Sequence, residues 1–517
     1  MNVGGSPVGP QWVLRGILWT GNSDQNWNDA NNWTPNNIPG SNDDVVIGTA
    51  TNNPRISQPP ANPAICKRLY IQSAGVLTIE PGGALTVSDL LNNSGTLTLK
   101  SDATGTGSLI HNTSGVSATV ERYVAGHANV AADGWHLMGS PVATFNISGS
   151  YFEPGTNDDL YGWSESTNTW LNYKAGNPTQ IVPGTGYLVA YENTGTKTFS
   201  GNLNVSDVSV SGLSYTPDQG NGWHLLGNPF ASALKWNDGN WSLSNVAWTA
   251  KIWHSINKSY SDIAANGIIP QAQGFFVKVG SGTNSLTIPA AARTHDNQAW
   301  YKSSDVPMLK LIARPTDGSS AQENILRMEP EATAGYDFYW DSQFLPGSAP
   351  KLYSLADGVK LSTNALPSIE ESTEIPLGFE KNDHSNFSIE LAENTLPAIV
   401  LLKDLKLGFT HNLTQQPVYT FTSVEGDNAN RFKLAFASVG ISPEQQNPVP
   451  YAWYANGMLH FRNVESGSLV EVYAAEGKLV KRERLQGNTL SLQVAPGLYV
   501  IKIAGAMQQN VQKIVIY

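Results

Sequence analysis

Adjacent carboxylates are the first residues in this sequence whose spacing could do chemistry: Asp43-Asp44 and Asp158-Asp159. Hydrolysis of a sugar needs two carboxyl groups facing each other across the scissile bond. Neighbours on a strand point to opposite faces, so neither pair meets that need alone, and placement in loops is the plainer expectation. The nine histidines are scattered. His136 and His224 stand in matching segments, each directly after a tryptophan (Trp135 and Trp223). They could bind a ligand, but the plainer reading has each imidazole donating to a turn carbonyl. No HExxH, GxSxG, P-loop or dinucleotide fingerprint occurs. Cys66 is the only cysteine, so no intramolecular disulfide or multi-cysteine metal site can form. Between Ile65 and Leu69 it reads as a small buried hydrophobe rather than a reactive thiol. No catalytic or cofactor-binding residue is expected from this inventory.

Two further groups of side chains could bind. Asp24, Asn26, Asn28 and Asp29 crowd oxygen atoms into one short stretch. Calcium takes roughly six to eight oxygens, so a loop site is conceivable, although the glycine and closing glutamate of an EF-hand are missing. Asx turns are the plain alternative. The chain also carries 15 tryptophans, many beside Gly, Asn or Ser. Trp163, Trp170, Trp253 and Tyr260 could stack on a sugar or anchor a partner; otherwise they fill small cores.

The elements that must position these residues are strands. Short runs of Val, Ile, Thr and Leu recur along the 517 residues, separated by Gly, Asn and Pro turns. Stretches of helical period are almost absent, so the expected class is all-β and multidomain. Residues 19–124 open on three tryptophans and continue as closely spaced alternating strands, such as Val76–Ile79, Ala84–Val87 and Thr96–Leu99. A short β-solenoid suits this ladder, with a β-meander as the alternative. Residues 125–210 and 211–299 form an internal repeat. GWHLMGSP at Gly134 returns as GWHLLGNP at Gly222, an offset of 88. IVPGTGYLV at Ile181 returns as IIPQAQGFFV at Ile268, with one inserted residue, and Trp163…Trp170 matches Trp253…Tyr260. Three blocks in order predict two similar β units.

Residues 300–437 read as a β-sandwich with strands that include Met308–Ile312, Tyr336–Tyr339, Phe387–Leu391 and Arg431–Phe436. Residues 438–450 hold Pro443, Pro448 and Pro450 and read as an extended linker. Residues 451–517 pack six or seven expected strands into a small Ig-like antiparallel sandwich.

This last region resembles the type A C-terminal sorting domain of Bacteroidetes type IX secretion cargo. The resemblance rests on Val472-Tyr473 with Gly477, on Pro496-Gly497-Leu-Tyr499, and on the closing Lys513-Ile-Val-Ile516. The opening around Trp19, Trp27 and Trp33 and the sandwich before the linker are similar to parts of large modular Bacteroidetes surface proteins. The resemblance implies recognition by the outer-membrane translocon and sorting machinery, removal of the sorting domain, and in many relatives attachment to surface lipopolysaccharide; the linker near residues 437–450 is the expected place of cleavage.

Charge excludes other partners. The formal net charge is −11, and the densest basic run, Lys481–Arg484, carries its own glutamate. A nucleic-acid partner is not expected. No run of apolar residues reaches the length of a transmembrane helix. The opening MNVGGSPVGPQWVLRG lacks the basic and apolar segments of a signal peptide. Two readings follow. In one, the chain is a non-enzymatic adhesin or structural component at the cell surface, with a glycan or surface-protein ligand. In the other it is a carbohydrate-active protein, which would require a cleft with facing carboxylates roughly 5–10 Å apart.

Overall fold

The computed structural model describes residues 16–128, 130, 133–283, 285–296, 307–370, 373–438, 451–455, 457–462, 464, 466–505 and 509–516. The first 15 residues, which carry most of the opening segment, lie outside these, as does most of the expected linker, residues 439–450. The described residues form strands throughout, with 3-10 turns at Ala30–Asn32, Tyr173–Ala175 and Ala290–Ala292 and no α-helix. The chain divides into two compact units, one ending at Phe436 and the other beginning at Ala437.

The first unit opens with a parallel β-solenoid. The chain alternates between two sheets. Asp44–Ile47, Ala64–Ile71, Ala84–Asn93 and Ser108–Ile110 pair in parallel in one sheet. Arg55–Ile56, Val76–Ile79, Thr96–Leu99 and Ser117–Val124 pair in parallel in the other. This two-sided winding selects the solenoid over the meander. Each strand sends alternate residues inward, so Leu77, Ile79, Leu97, Leu99 and Val120 are buried. Cys66 lies on the same core, and burial pushes its thiol pKa up to about 12. Trp19, Trp27 and Trp33 close the first coil, with Trp33 packed edge-on to both neighbours. At the other end, Gly195–Asn202 adds antiparallel to Ser117–Val124 along eight residue pairs and covers the open sheet edge.

The repeat is visible in the strand order. Trp135–Met138, Tyr187–Ala190, Asp159–Ser164 and Thr169–Asn172 lie side by side in that order. Trp223–Gly227, Gly274–Lys278, Ala250–His254 and Ser259–Ile263 repeat it. The two units face each other about an approximate two-fold. Met138 bridges Gln273, and the equivalent Leu226 bridges Thr185. Gly139 N–H donates to Ala272 O at 3.0 Å, and the equivalent Gly227 N–H donates to Gly184 O at 2.9 Å. Such self-complementary contact is the geometry of an isologous dimer, here inside one chain.

From Met308 to Ser438 the strands form one continuous path from Phe409–Asn412 at one end to Val418–Thr422 at the other. The path curls until its ends meet. Tyr419 donates its hydroxyl to Asp404 at 2.9 Å, and Arg431 pairs with the same carboxylate at 2.6 Å, both groups being buried. The expected strand Tyr336–Tyr339 is instead part of a turn. Asp337 accepts from Thr333 N–H, and Asp341 accepts from Asp337 N–H at 2.8 Å. These side-chain bonds use backbone donors that a strand would need. Lys251, fully buried, pairs with Asp262, and Ser362 and Thr363 also donate to that carboxylate at 2.7 Å, joining the second repeat to this sheet.

The second unit has two antiparallel sheets. One contains Tyr451–Ala455, Met458–Arg462 and Thr489–Ser491; the other runs Leu479–Arg484, Leu469–Ala474, Gly497–Ala504, Gln509–Ile516. Leu459, Val470, Val472, Ile501 and Ile503 form its core. The edge strand Leu479–Arg484 carries Lys481, Arg482, Glu483 and Arg484, charges that oppose pairing with another chain.

Candidate functional site

The four aromatic residues singled out in the sequence come together between the repeats. Trp163 faces Trp170 across one hairpin, and Trp253 faces Tyr260 across the equivalent hairpin. Phe276 lies edge-on to Trp163, Trp170 and Tyr260 at 5.8, 6.2 and 5.7 Å between ring centres. The rings therefore pack on each other with Leu137, Trp223 and Leu225. Trp163, Trp170 and Tyr260 keep half-buried edges, while Trp253 is 9% exposed.

The two histidines are structural equivalents. His136 Nε2 lies 2.9 Å from Ala125 O, and His224 Nε2 lies 2.8 Å from Ser214 O. Burial pushes the His136 pKa down to about 4, and it also lowers that of His224. Both imidazoles are therefore neutral at neutral pH.

The pseudo-symmetry breaks beside these histidines. Trp163 Nε1 donates to Trp223 O at 2.7 Å. Two residues on, Glu165 turns inward and is 3% exposed. Its carboxylate accepts from Ser214 Oγ (2.6 Å), Thr216 N–H (2.6 Å), Thr216 Oγ1 (2.8 Å) and Gly222 N–H (2.9 Å). Burial pushes this carboxyl up, but the bonds from Ser214, Gly222 and Thr216 outweigh it and hold the pKa below the usual carboxylate value. At the matching place in the second repeat stands Ser255. A cavity of about 320 Å³ opens there, lined by Arg122, Tyr123, His136, Trp253, Ser255 and Gln273 among others. Trp253 Nε1 is buried and has no hydrogen-bond partner among the described residues. Arg122 gives a hydrogen bond to Gln273 Oε1 at 3.1 Å. Burial alone pushes its pKa down to about 10, and it stays charged at neutral pH.

Sequence reasoning did not single out Arg122, Glu165 or Gln273. A signal existed for Arg122. It follows Ala118 and Val120 and precedes Val124 in the inward phase of its strand, where a charge is out of place.

The acidic loop forms Asx turns. Asp24 Oδ1 accepts from Asn26 N–H (2.8 Å) and Asn32 Nδ2 (2.7 Å). Asn26 Oδ1 accepts from Asn28 N–H, and Asp29 Oδ1 accepts from Asn31 N–H and Asn31 Nδ2. Among the described residues no group of three or more His, Cys, Asp or Glu stands ready to hold a metal. The adjacent acids diverge. Asp43 caps Gly40 N–H while Asp44 lies 3.7 Å from Arg68. Asp158 accepts from Gly155 and Glu192 while Asp159 lies 3.7 Å from Lys174.

In the second unit Val472, Tyr499 and Ile516 are buried, while Pro496 and Lys513 are exposed. Tyr499 donates its hydroxyl to Ala495 O at 2.7 Å, clamping the turn that contains Pro496 and Gly497. Tyr473 donates to Glu471 at 3.0 Å. Gly477 takes φ +85° in the hairpin turn, a conformation that favours glycine. No helix among the described residues is long and apolar enough to cross a membrane.

Residues 18–263 and 240–436 match a family model described as a domain of unknown function (DUF8693), and the chain belongs to that family. It is also similar to the minor fimbrium subunit Mfa5 of Porphyromonas gingivalis, with 24% identity over 588 aligned positions that cover 99% of this chain. The alignment takes in 47% of that protein, so the chain spans about half the length of this relative.

Proposed function

We propose that this chain is a structural or adhesive subunit at the bacterial cell surface, of the kind found in fimbriae, exported by type IX secretion machinery that reads residues 451–517. The observation that carries the reading is the similarity to a fimbrium subunit along 99% of the chain. The architecture supports it. A solenoid, two facing repeats and a closed sheet belong to one compact unit, which suits a load-bearing or ligand-presenting part. The C-terminal unit has a core of its own, as a self-contained sorting domain would. The translocon and, for anchoring, surface lipopolysaccharide are its proposed partners, with a glycan or surface protein as ligand.

Export is tested by expressing the tagged chain, fused behind a secretory signal peptide of the host, in a Bacteroidetes host with and without residues 451–517. The full chain should reach the surface or medium, and the truncated chain should stay in the periplasm. Equal surface exposure of both would sink the export route. Mass spectrometry of secreted material tests removal; retention of residue 517 would count against cleavage between 437 and 450. Immunogold labelling that found the chain only inside cells would sink the surface reading itself. A glycan array separates adhesion from catalysis: binding without turnover supports the adhesin, and product release supports a carbohydrate-active protein.

A further inference from the structure

We propose that the cavity beside Arg122 is a binding site for a carboxylated sugar, whose carboxylate pairs with Arg122 in the half of the repeat pair that lacks a counterpart of Glu165. The inference deepens the adhesive reading above and rests on it for its biological meaning.

The pseudo-symmetry of the repeats is broken at this cavity. In one half, a buried carboxylate from Glu165 is caught by two backbone N–H groups and two hydroxyls. Its tryptophan neighbour, Trp163, has its N–H bonded. In the other half the equivalent residue is Ser255, the equivalent Trp253 N–H is buried with no partner among the described residues, and a cavity of about 320 Å³ lies between them and the solenoid. A buried unpaired donor is costly unless something else satisfies it.

Into this cavity the solenoid contributes Arg122, at an inward-facing strand position and bonded to the neutral Gln273. Arginine is suited to a planar carboxylate because its donors form a fork. His136 adds no charge, since it is neutral beside Arg122. The walls say more about the ligand. Trp253 offers aromatic surface, while Thr106 and Ser255 offer hydroxyls. An inorganic anion would leave the aromatic surface uncovered. A pyranose bearing a carboxylate uses both kinds of wall. Asp102 and Asp296 also line the cavity and provide acceptors for sugar hydroxyls. Asp102 is exposed and its Oδ1 is held by Thr104 and Gly105, so water screens it.

The test is a calorimetric titration of the full chain with galacturonate and glucuronate, set against galactose and glucose. We expect at least one acid sugar to bind about tenfold or more tightly than its neutral parent. Arg122→Gln should remove that preference. Because Arg122 sits inside the fold, a second variant is needed. Ile256, 71% exposed, stands at the lip, and Ile256→Glu should weaken the acid sugar several-fold more than the neutral sugar. Equal binding of acid and neutral sugars, binding of neither, an Ile256→Glu variant that binds like wild type, or a glutamate-rich peptide that displaces the sugar would each overturn the site. Cell fractionation reads the surface location separately, so failure of the site and failure of the adhesive reading are distinguishable.

Discussion

Gly139 and Gly227, equivalent residues of the two repeats, meet backbone to backbone. A Cβ on Gly139 would lie 2.5 Å from Gly227 Cα, and one on Gly227 would lie 2.6 Å from Gly139 Cα. The repeated motif that ends in Gly-Ser-Pro and Gly-Asn-Pro is therefore a contact between the repeats as well as a marker of them. Gly139→Ala forces backbone apart, because the obstructing atoms are not a flexible side chain. We expect a loss of about 1–3 kcal/mol, read from chemical denaturation. Gly227→Ala should cost a similar amount. The double variant should cost less than the sum, since one separation relieves both clashes.

Glu165 ties the first repeat to the segment leading into the second. Glu165→Ala leaves the donors of Thr216 and Gly222 without an acceptor in a buried place. We expect about 2–3 kcal/mol of destabilisation, with faster hydrogen exchange at the Thr216 and Gly222 amides. The folded-state pKa is depressed, so this contribution is present above the unfolded carboxylate value and fades as pH falls through the folded value. Glu165→Gln should keep part of the stability and lose that pH dependence.

Histidines set a second pH window. Burial pushes His111, His136 and His295 down to about 4. His295 lies between Thr86 and Ser108 of the solenoid, at 2.9 and 2.7 Å, and so docks the end of the second repeat. The unfolded chain takes up protons near pH 6.5, and the folded chain resists until about 4. Stability should therefore be full above the unfolded value, fall as pH drops from about 6.5 toward 4, and level out below. His111, 2% exposed and close enough to Arg293 to feel its charge, should contribute about 2–4 kcal/mol of this loss. Urea unfolding of wild type and His111→Gln at pH 7 and pH 5 checks it: the variant should show the smaller drop.

The Asp24–Asp29 loop is tested by calcium. Asp24 Oδ1 and Asp29 Oδ1 each already accept two hydrogen bonds from the protein. A cation bound through those oxygens would have to displace those donors. We expect saturating Ca²⁺ to leave the thermal midpoint unchanged, and Asn32→Ala, which removes the central bonds of the loop, to lower it with or without Ca²⁺.

Much of this fold could be read from residue order. Alternating apolar residues gave the solenoid strands, because a period of two is a local property of a strand. The repeat was legible because Trp135 and Trp223 occupy the same place in the same strand order. The two-fold contact was not, since it depends on which backbone atoms meet, and glycines at turns look alike in sequence. The tryptophans were ambiguous for a related reason: a ring flanked by Gly or Asn packs against another repeat as readily as against a ligand. Tyr336–Tyr339 has strand composition, but Asp337 and Asp341 bend it through bonds that composition does not show. Arg122 was legible only in hindsight of register. Its meaning comes from Ser255 standing where Glu165 has its counterpart, and that comparison needs both repeats in three dimensions.

Asp404 and Arg431 form the buried pair at which the strand path of the third region closes. Arg431 Nε and Nη2 both reach the carboxylate, at 3.0 and 2.6 Å, and the Tyr419 hydroxyl adds a third donor. Burial pushes the Asp404 carboxyl up, but Arg431 and Tyr419 outweigh that and hold it below the ordinary value. Arg431 also packs over Phe421 and Phe432, at 4.8 and 5.0 Å from their ring centres. Asp404→Asn would keep the shape and leave the buried guanidinium with only Asp427, 4.0 Å away, as a carboxylate neighbour, so we expect a loss of about 3 kcal/mol. Removing both charges, as Asp404→Leu with Arg431→Met, should recover most of it, because no unpaired charge remains and the methionine can pack on the same rings. Guanidinium denaturation of the two variants decides the point. A double variant as unstable as Asp404→Asn would mean that the geometry of the closing strands, rather than charge compensation, holds this end of the sheet.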